Sequence, residues 1–275
     1  MRTIEAKKNI LYSFVIKFIS ILINLAIVPL TINYVNTTQY GIWLTISSIV
    51  GWISFFDFGF THGFRNRFTE AIAKNETVLA RKYVSTIYAV LIIIFTVLLF
   101  ISIGLNSVIS WSKVLSLNNI YDEELRRVFV VLIVFFCLQL ILNTITTLLL
   151  ADQKVAMAAL ITTIGQFLVL ISIYIITKFT HGSLYYLAIV MSGAPCVVFT
   201  IVTVKLFKGT YNPFVPSFKY VDFKLTKDLI GLGGKFFIIQ LSMLVIFQFT
   251  NIILSRIEGP LAVTEYNIAY KYFIQ

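Results

Sequence analysis

Long apolar runs separated by short polar stretches dominate this chain. A helix needs about 20 residues to cross a hydrocarbon layer about 30 Å thick, and the runs reach that length repeatedly. They are continuous and do not alternate with polar positions, which favours helices over the strands of a barrel. We predict spans over 10–34, 40–60, 83–106, 128–150, 155–177, 184–204 and 229–254, and the start of an eighth near 264.

Composition supports this interpretation and excludes other classes. Of the 275 residues, 59% are hydrophobic and 12% are charged, whereas charged residues make up about 25% of a typical soluble domain. Disorder is excluded as well, because disordered chains have low hydrophobicity. The predicted fold class is therefore all-α, a polytopic transmembrane helix bundle.

The basic residues are unevenly distributed between the two sides of the predicted spans. The net charge is +10, and fourteen Lys and Arg residues fall on the side of the N-terminus. The opposite side holds five, which are Lys113, Arg126, Arg127, Lys178 and Arg256. Because cytoplasmic loops carry the excess of Lys and Arg, we expect the N-terminus in the cytoplasm. This bias accounts for most of the positive charge without a nucleic-acid partner.

Two short motifs recur in the same order, which indicates an internal duplication. Lys-Phe occurs at 17–18 and 235–236, and T-x-Y-x-I occurs at 38–42 and 264–268. Six predicted spans lie between the copies, and an even number preserves direction, so the repeat would be parallel. Chance is the alternative, because short apolar matches are common.

The repeat predicts how the chain is divided. We expect an N-terminal six-helix bundle over 1–207, a cytoplasmic linker over 208–228 and the start of a second bundle over 229–275. The offset between the copies places the end of a complete second copy near 440–460. We therefore expect the chain to hold a little over half of a two-bundle transporter.

The segment from Gly63 to Lys74 has a helical apolar stripe. Phe64, Phe68 and Ile72 are spaced four residues apart, and the basic residues lie off that stripe. The pattern predicts an amphipathic helix at the cytoplasmic interface.

Several of these segments resemble one known family. The chain is similar to bacterial polysaccharide flippases, the O-antigen and capsule repeat-unit translocases of the MATE-like multidrug/oligosaccharidyl-lipid/polysaccharide superfamily. The resemblance is carried by YGIW at 40–43, FFDFG at 55–59, GxRN at 63–66, VTEYNIAYKYF at 263–273 and the first span with Pro29.

The resemblance implies two six-helix bundles around a central cavity. The implied substrate is an undecaprenyl-diphosphate-linked oligosaccharide, flipped from the inner to the outer leaflet of the bacterial cytoplasmic membrane. The expected partners are this substrate, membrane lipids and other membrane proteins of polysaccharide assembly. We expect no catalytic residues, no metal and no cofactor, and the sequence contains no P-loop pattern for ATP use.

Moving a diphosphate through hydrocarbon requires cationic groups in a polar cavity. Lys17 and Lys235 are predicted to lie about 11 Å and about 9 Å inside their spans, at 1.5 Å per residue. They could hold the diphosphate, or their stems could extend to the headgroup layer. Arg65 and Arg67 could recruit the diphosphate at the cytoplasmic mouth or bind inner-leaflet lipid.

Three further polar residues are candidates. Asp57 is the one acidic residue in the first seven predicted spans. It could relay protons or ions, or it could cap a helix end and pair with Arg65 or Arg67. Asn24 and Gln240 are candidate polar groups of the cavity, because an unpaired amide in lipid is costly.

Two rival functions remain open. A multidrug exporter of the same superfamily would favour acidic cavity residues, whereas the charges within the predicted spans are mostly lysines. A membrane-embedded polysaccharide polymerase, which is an enzyme, would need a sizeable outer loop with Arg and acidic groups, and the outer loops are short.

Overall fold

The computed structural model describes residues 2–115, 121–243 and 249–274, in which all regular structure is helical. The helices are α1 (Arg2–Val35), α2 (Thr37–Gly51), α3 (Phe60–Ala73), α4 (Thr77–Val108), α5 (Trp111–Val114), α6 (Asp122–Leu142), α7 (Thr144–Ala151), α8 (Val155–Phe179), α9 (Leu184–Lys208), α10 (Thr226–Met243), α11 (Phe249–Ile257) and α12 (Pro260–Ile274). Short 3-10 helices lie at Trp52–Asp57, Asn212–Phe214, Phe218–Tyr220 and Phe223–Leu225.

The prediction of a polytopic helical membrane protein is confirmed. Five stretches are long and apolar enough to cross a membrane, and α2 with α3 makes a sixth if the bent pair is counted as one span. The five are Leu11–Val35, Thr77–Val108, Asp122–Ala151, Val155–Phe179 and Leu184–Lys208. The seventh predicted span corresponds to α10 and α11, and residues 244–248 between them lie outside the described part of the chain.

The second span is bent by 44° where α2 gives way to α3. After the 3-10 turn, Phe58 has φ 48° and Gly59 has φ 77°, both in the left-handed region. Glycine adopts this conformation freely, but for phenylalanine it is strained. Two successive left-handed residues end one helix and redirect the next.

The fourth span is locally irregular at Asn143, between α6 and α7. The carbonyl oxygen of Asn143 accepts hydrogen bonds from the backbone N–H of Thr146 at 3.0 Å and from its hydroxyl at 2.7 Å. The regular helical bonds continue across this turn, from Asn143 N–H to Gln139 at 2.8 Å and from Thr147 N–H to Asn143 at 3.4 Å, so the helix is tightened locally. The second span is therefore bent, whereas the fourth continues as one stretch over Asp122–Ala151.

The amphipathic character predicted for residues 63–74 is confirmed in α3. Phe64 and Phe68 are fully buried. The helix packs against α4, α7 and α10, so its apolar stripe faces protein and not lipid. A helix predicted to lie on the membrane surface thus forms part of the packed structure.

The first nine helices pack around a shared apolar core. α8 lies between α1 and α9, and α6 packs against both α9 and α4. Ile46, Ile87, Leu125 and Ile133 are among the residues that are fully buried. Large apolar side chains such as Phe100 remain exposed on the outer helix faces, as expected for surfaces in contact with lipid tails.

The predicted linker is docked along the start of α4. The Arg81 side chain donates from Nε to the carbonyl oxygen of Val215 at 3.1 Å, and its guanidinium lies 4.3 Å from the ring centre of Tyr220. Further along, the backbone N–H of Asp222 donates to the Thr86 hydroxyl at 3.0 Å. The linker therefore follows a defined path over the first set of helices.

A second attachment holds the beginning of the linker. The hydroxyl of Tyr211 donates to the Asp152 carboxylate at 2.6 Å, and Lys154 Nζ lies 2.8 Å from the same carboxylate and 3.2 Å from the Tyr211 oxygen. Burial raises the pKa of Tyr211, and the bond to Asp152 raises it further. Tyr211 is therefore a stable proton donor to Asp152.

Two glycines allow the last helices to approach the first set closely. A Cβ atom at Gly41 would lie 1.8 Å from the carbonyl oxygen of Pro260, and one at Gly63 would lie 1.9 Å from that of Leu229. Small residues permit this backbone contact between helices in membranes. Gly41 belongs to the YGIW motif and Gly63 to the GxRN motif. Close backbone packing explains why each motif has glycine at that position.

We predict that Gly41→Ala destabilises the contact between α2 and α12. The added methyl group collides with backbone, and overpacking of this kind costs about 1–3 kcal/mol. The thermal unfolding midpoint of the purified protein in detergent should fall. Gly104→Ala is the matched control, because a Cβ there meets no atom within 4 Å. Equal midpoints for the two variants would contradict the prediction.

We also predict that Arg81→Lys loosens the docked linker. Lysine keeps the charge but loses the Nε bond to Val215 and the planar contact with Tyr220. Amide hydrogen exchange across 212–225 should accelerate about tenfold, which corresponds to a loss of about 1.4 kcal/mol. Arg65→Lys serves as the control, since Arg65 lies on the exposed side of α3. Unchanged exchange in the Arg81 variant would refute the assignment.

Candidate functional site

The two copies of the T-x-Y-x-I motif meet where α2 packs against α12. The Thr264 hydroxyl donates to the carbonyl oxygen of Thr37 at 2.8 Å. Lys271 Nζ donates to the hydroxyl of Tyr40 at 3.1 Å. The segments that indicated an internal duplication therefore face each other across this contact.

A polar cleft of about 300 Å³ continues along the same contact. The Asn251 amide donates to the Ser48 hydroxyl at 2.6 Å, and the Asn267 amide donates to Asn251 Oδ1 at 2.7 Å. Tyr266 and Tyr270 also line the cleft. Amides and hydroxyls can both donate and accept hydrogen bonds, and tyrosine adds apolar ring faces. The lining is suited to a ligand rich in hydroxyl groups.

Lys271 was missed as a site residue by the sequence reasoning. It is half-buried on α12 and contacts Tyr40 on α2. The available signal was its position seven residues after Thr264, two helical turns along the same face. If the two copies of the motif are expected to pack against each other, Lys271 is predicted to lie at their contact.

The structure places Lys17 on an exposed part of α1. Phe14 and Phe18 beside it are also exposed, and α1 packs mainly against α8. Lys235 lies within α10, but its side chain is outside the described residues. α10 packs mainly against α3, so the two lysines lie on helices with different main partners.

Arg65 and Arg67 share helix α3 but differ in their surroundings. Arg65 is exposed. Arg67 Nη1 lies 3.0 Å from a Glu70 carboxylate oxygen, and Lys74 Nζ lies 2.8 Å from the other oxygen. Glu70 therefore neutralises part of this basic group and leaves Arg65 as the more available cation.

Asp57 is buried at the bend of the second span. Both of its carboxylate oxygens lie 3.2 Å from the backbone N–H of Thr61, near the start of α3. Asp57 lies two residues before Gly59, the N-cap of α3, and accepts this bond where the N-cap has no side chain to do so. The accompanying pairing with Arg65 or Arg67 is absent among the ion pairs of the described residues, because Arg67 bonds to Glu70 instead.

The structure describes the side chain of only one of the two amide candidates. Asn24 is half-buried on α1. The side chain of Gln240, on α10, lies outside the described residues. The described candidates Lys17, Asn24, Arg65 and Arg67 thus lie on α1 and α3 and do not gather at the cleft between α2 and α12.

Comparison with known proteins identifies both family and fold. The model of a family described as "Polysaccharide biosynthesis protein" matches residues 6–274. No curated protein matches the chain. A solved structure described as the inward-facing conformation of a multidrug resistance MATE family transporter of the MOP superfamily is similar, with a TM-score of 0.70 and 17% identity.

That similarity covers 92% of this chain and 57% of the MATE transporter. The chain thus spans a little over half the length of the solved structure. At this level of identity the likeness establishes the fold, and the family match establishes membership. The chain belongs to the polysaccharide biosynthesis protein family and has the fold of the MATE-like superfamily.

Proposed function

We propose that the protein flips an undecaprenyl-diphosphate-linked oligosaccharide repeat unit across the bacterial cytoplasmic membrane. The observation that carries the proposal is the cleft between α2 and the α11–α12 segment, where Ser48, Asn251 and Asn267 form a chain of hydrogen bonds. Sugars present many hydroxyl groups, and such a lining can replace the water they lose in hydrocarbon. Membership of the polysaccharide biosynthesis family supports this choice.

The proposed mechanism is alternating access, with the two sets of helices rocking around the cleft. The contacts between α2 and α12 lie at the predicted outer end, because both helices begin after loops on the side opposite the N-terminus. Opening toward that side would break the bonds Thr264–Thr37 and Lys271–Tyr40. Interhelical hydrogen bonds in membranes contribute about 0.6–2 kcal/mol each. Substrate binding can supply the free energy needed to break the two bonds.

Basic groups at the proposed cytoplasmic end would attract the diphosphate. Arg65 is exposed on α3 and Lys17 is exposed on α1, and the predicted orientation would put both in the cytoplasmic half of the membrane. We include Lys235 in this proposal because it occupies the position in the second copy of the repeat that Lys17 occupies in the first. Lys271 adds a cation beside the cleft, so the charge available to phosphate extends beyond the residues named from sequence.

A multidrug exporter is the second candidate. The observation that favours it is the buried carboxylate of Asp57, since acidic groups within membrane spans suit cationic drugs. The solved structure that resembles this chain is itself described as a multidrug resistance transporter. A polymerase is disfavoured, because the described loops at the predicted outer end are short.

Charge reversal tests the flippase proposal. We predict that Lys17→Glu or Arg65→Glu in the full-length protein lowers surface polysaccharide at least about tenfold in a flippase-null strain, because a carboxylate repels the diphosphate. Lys113→Glu is the control, as Lys113 is an exposed lysine at the opposite end. Normal polysaccharide from both charge-reversal variants, at equal membrane abundance, would remove these residues from the proposal.

The two functions are separated by a second measurement. We predict that the wild-type protein restores surface polysaccharide in the null strain and leaves resistance to lipophilic cationic drugs unchanged. Drug resistance without polysaccharide would favour the exporter, and it should then disappear in Asp57→Asn.

A further inference from the structure

Two adjoining cavities lie where α6 and α9 begin, at the predicted outer ends of the fourth and sixth spans. One has a volume of about 570 Å³ and is lined by Glu123, Glu124 and Arg127 of α6 and by Tyr185 and Tyr186 of α9. The other, of about 400 Å³, shares Glu123, Arg127 and Tyr185 with it. Because these three residues line both, the cavities form one continuous groove, which we call the outer groove.

The charge of the outer groove changes in a regular order along α6. Two carboxylates come first, then two guanidinium groups, then two apolar side chains. These are Glu123 and Glu124, Arg126 and Arg127, and Val130 and Val131. At 1.5 Å per residue, the basic pair lies about 4.5 Å beyond the acidic pair along the axis, and the valines lie about 6 Å beyond the basic pair. The groove therefore passes from negative to positive to apolar as α6 enters the membrane.

The α9 side of the groove carries two aromatic rings. The ring centres of Tyr185 and Tyr186 are 5.9 Å apart, and the ring planes meet at 67°, so the rings form two walls set at an angle. Aromatic faces attract cations, and several faces around one space are the usual way to hold an ammonium group. Glu123 and Glu124 line the same space, so a cation there would meet both ring faces and carboxylates.

The charged groups of the groove have bonding capacity for a ligand. Arg127 forms an ion pair with Glu123, and both side chains are exposed. Arg126 donates from Nη1 to the carbonyl oxygen of Ser107 at 2.7 Å. A guanidinium group has five N–H donors, so one such bond uses only part of its capacity. The ion pairs among the described residues leave Glu124 without a cation.

We propose that the outer groove binds the headgroup of an aminophospholipid such as phosphatidylethanolamine. The ammonium group lies between the tyrosine rings and the carboxylates, and the phosphate binds Arg126 and Arg127. A zwitterion matches both charged zones, whereas the anionic headgroup of phosphatidylglycerol places no cation beside the carboxylates. A primary ammonium donates charge-assisted hydrogen bonds to carboxylates, and choline has no N–H to donate. Ethanolamine is therefore favoured over both other headgroups.

The surface beyond the groove favours a lipid over a small soluble zwitterion. Val134 and Leu138 are exposed on α6, and they continue from Val130 at the four-residue spacing of one helix face. An acyl chain attached to the bound phosphate can lie along this stripe. Tyrosine is also enriched at the level of lipid headgroups, which is where the start of α9 is predicted to lie. The proposal concerns lipid binding alone and does not depend on which substrate the protein carries.

Lipid binding can be measured on the purified full chain in detergent. The protein is titrated with dioleoyl-phosphatidylethanolamine, dioleoyl-phosphatidylglycerol or dioleoyl-phosphatidylcholine, and bound lipid is counted by native mass spectrometry. Phosphatidylethanolamine should bind at least about tenfold more tightly than phosphatidylglycerol, and it should raise the thermal unfolding midpoint. Glycerophosphoethanolamine, which has the headgroup and no acyl chains, should bind at least about tenfold more weakly than the lipid.

Matched variants assign the binding to the groove. Glu124→Gln removes one carboxylate and leaves the Arg127–Glu123 pair in place, so affinity for phosphatidylethanolamine should fall about tenfold. Glu258→Gln is the control, because Glu258 is exposed near the start of α12 and lines neither cavity. Tyr186→Leu should weaken binding, and Tyr186→Phe should restore it, because phenylalanine keeps the ring face.

Four results would overturn the proposal. Wild-type protein that binds phosphatidylethanolamine no better than phosphatidylglycerol would show that the ammonium group has no site, a result that needs no variant. Wild-type affinity in both Glu124→Gln and Tyr186→Leu would place the lipid elsewhere. An equal loss in Glu258→Gln would indicate a general effect of surface charge. Displacement of the lipid by a neutral oligosaccharide such as maltotriose would assign the groove to sugar.

Discussion

Close backbone contact between helices organises this structure. Apolar side chains gain nothing from leaving lipid for another apolar surface, so helices in a membrane associate through tight packing and polar contacts. Gly41 admits the backbone of Pro260, and Gly63 admits that of Leu229. These two points fix α12 against α2 and α10 against α3. Polar bonds such as that between Ser48 on α2 and Asn251 on α11 add to these approaches.

The same constraint divides the polar side chains into two groups. In the cleft, Asn251 bonds to Ser48 and Asn267, and Lys271 bonds to Tyr40, so these groups satisfy one another across the helices. In a separate cavity of about 180 Å³ that Asp57 and Thr147 also line, the hydroxyl of Thr144 has no partner. A cleft whose groups bond to each other can open by exchanging those bonds for bonds to a ligand, whereas an unpartnered buried hydroxyl has no bond to exchange.

The spans can be predicted from the sequence because each apolar run must be long enough to cross the hydrocarbon layer. The bend in the second span and the turn in the fourth are harder to predict. Asn143 sits in a run that is otherwise apolar or threonine-rich, and this asparagine, a residue that favours turns, is the one local hint of the turn observed there. Phe58 is an unlikely residue for a left-handed conformation, and the glycine after it is the available hint. Local backbone geometry of this kind depends on tertiary packing that periodicity does not contain.

The site was predicted less completely than the fold, for a related reason. Sequence reveals which polar residues lie within a span but not which direction they face. Lys17 and Lys271 illustrate the difference, because both are lysines within predicted spans. Lys17 lies on an exposed helix face beside Phe14 and Phe18, while Lys271 meets Tyr40 at the contact between repeats. Which helices pack together decides the surroundings of each charged side chain. The duplicated motif was the part of the sequence that indicated which helices pair.

The docked linker adds a mechanical consequence. It is held on α4 through Arg81 and Thr86, and it leads directly into α10, which packs on α3 at Gly63. The later helices are therefore fastened to the first set at the linker end by backbone contact and by the linker itself. At the other end, α12 is held on α2 by the approach at Gly41 and a few polar bonds. In the proposed rocking motion, the fastened end is the better pivot, and the contact between α2 and α12 is the one that must open.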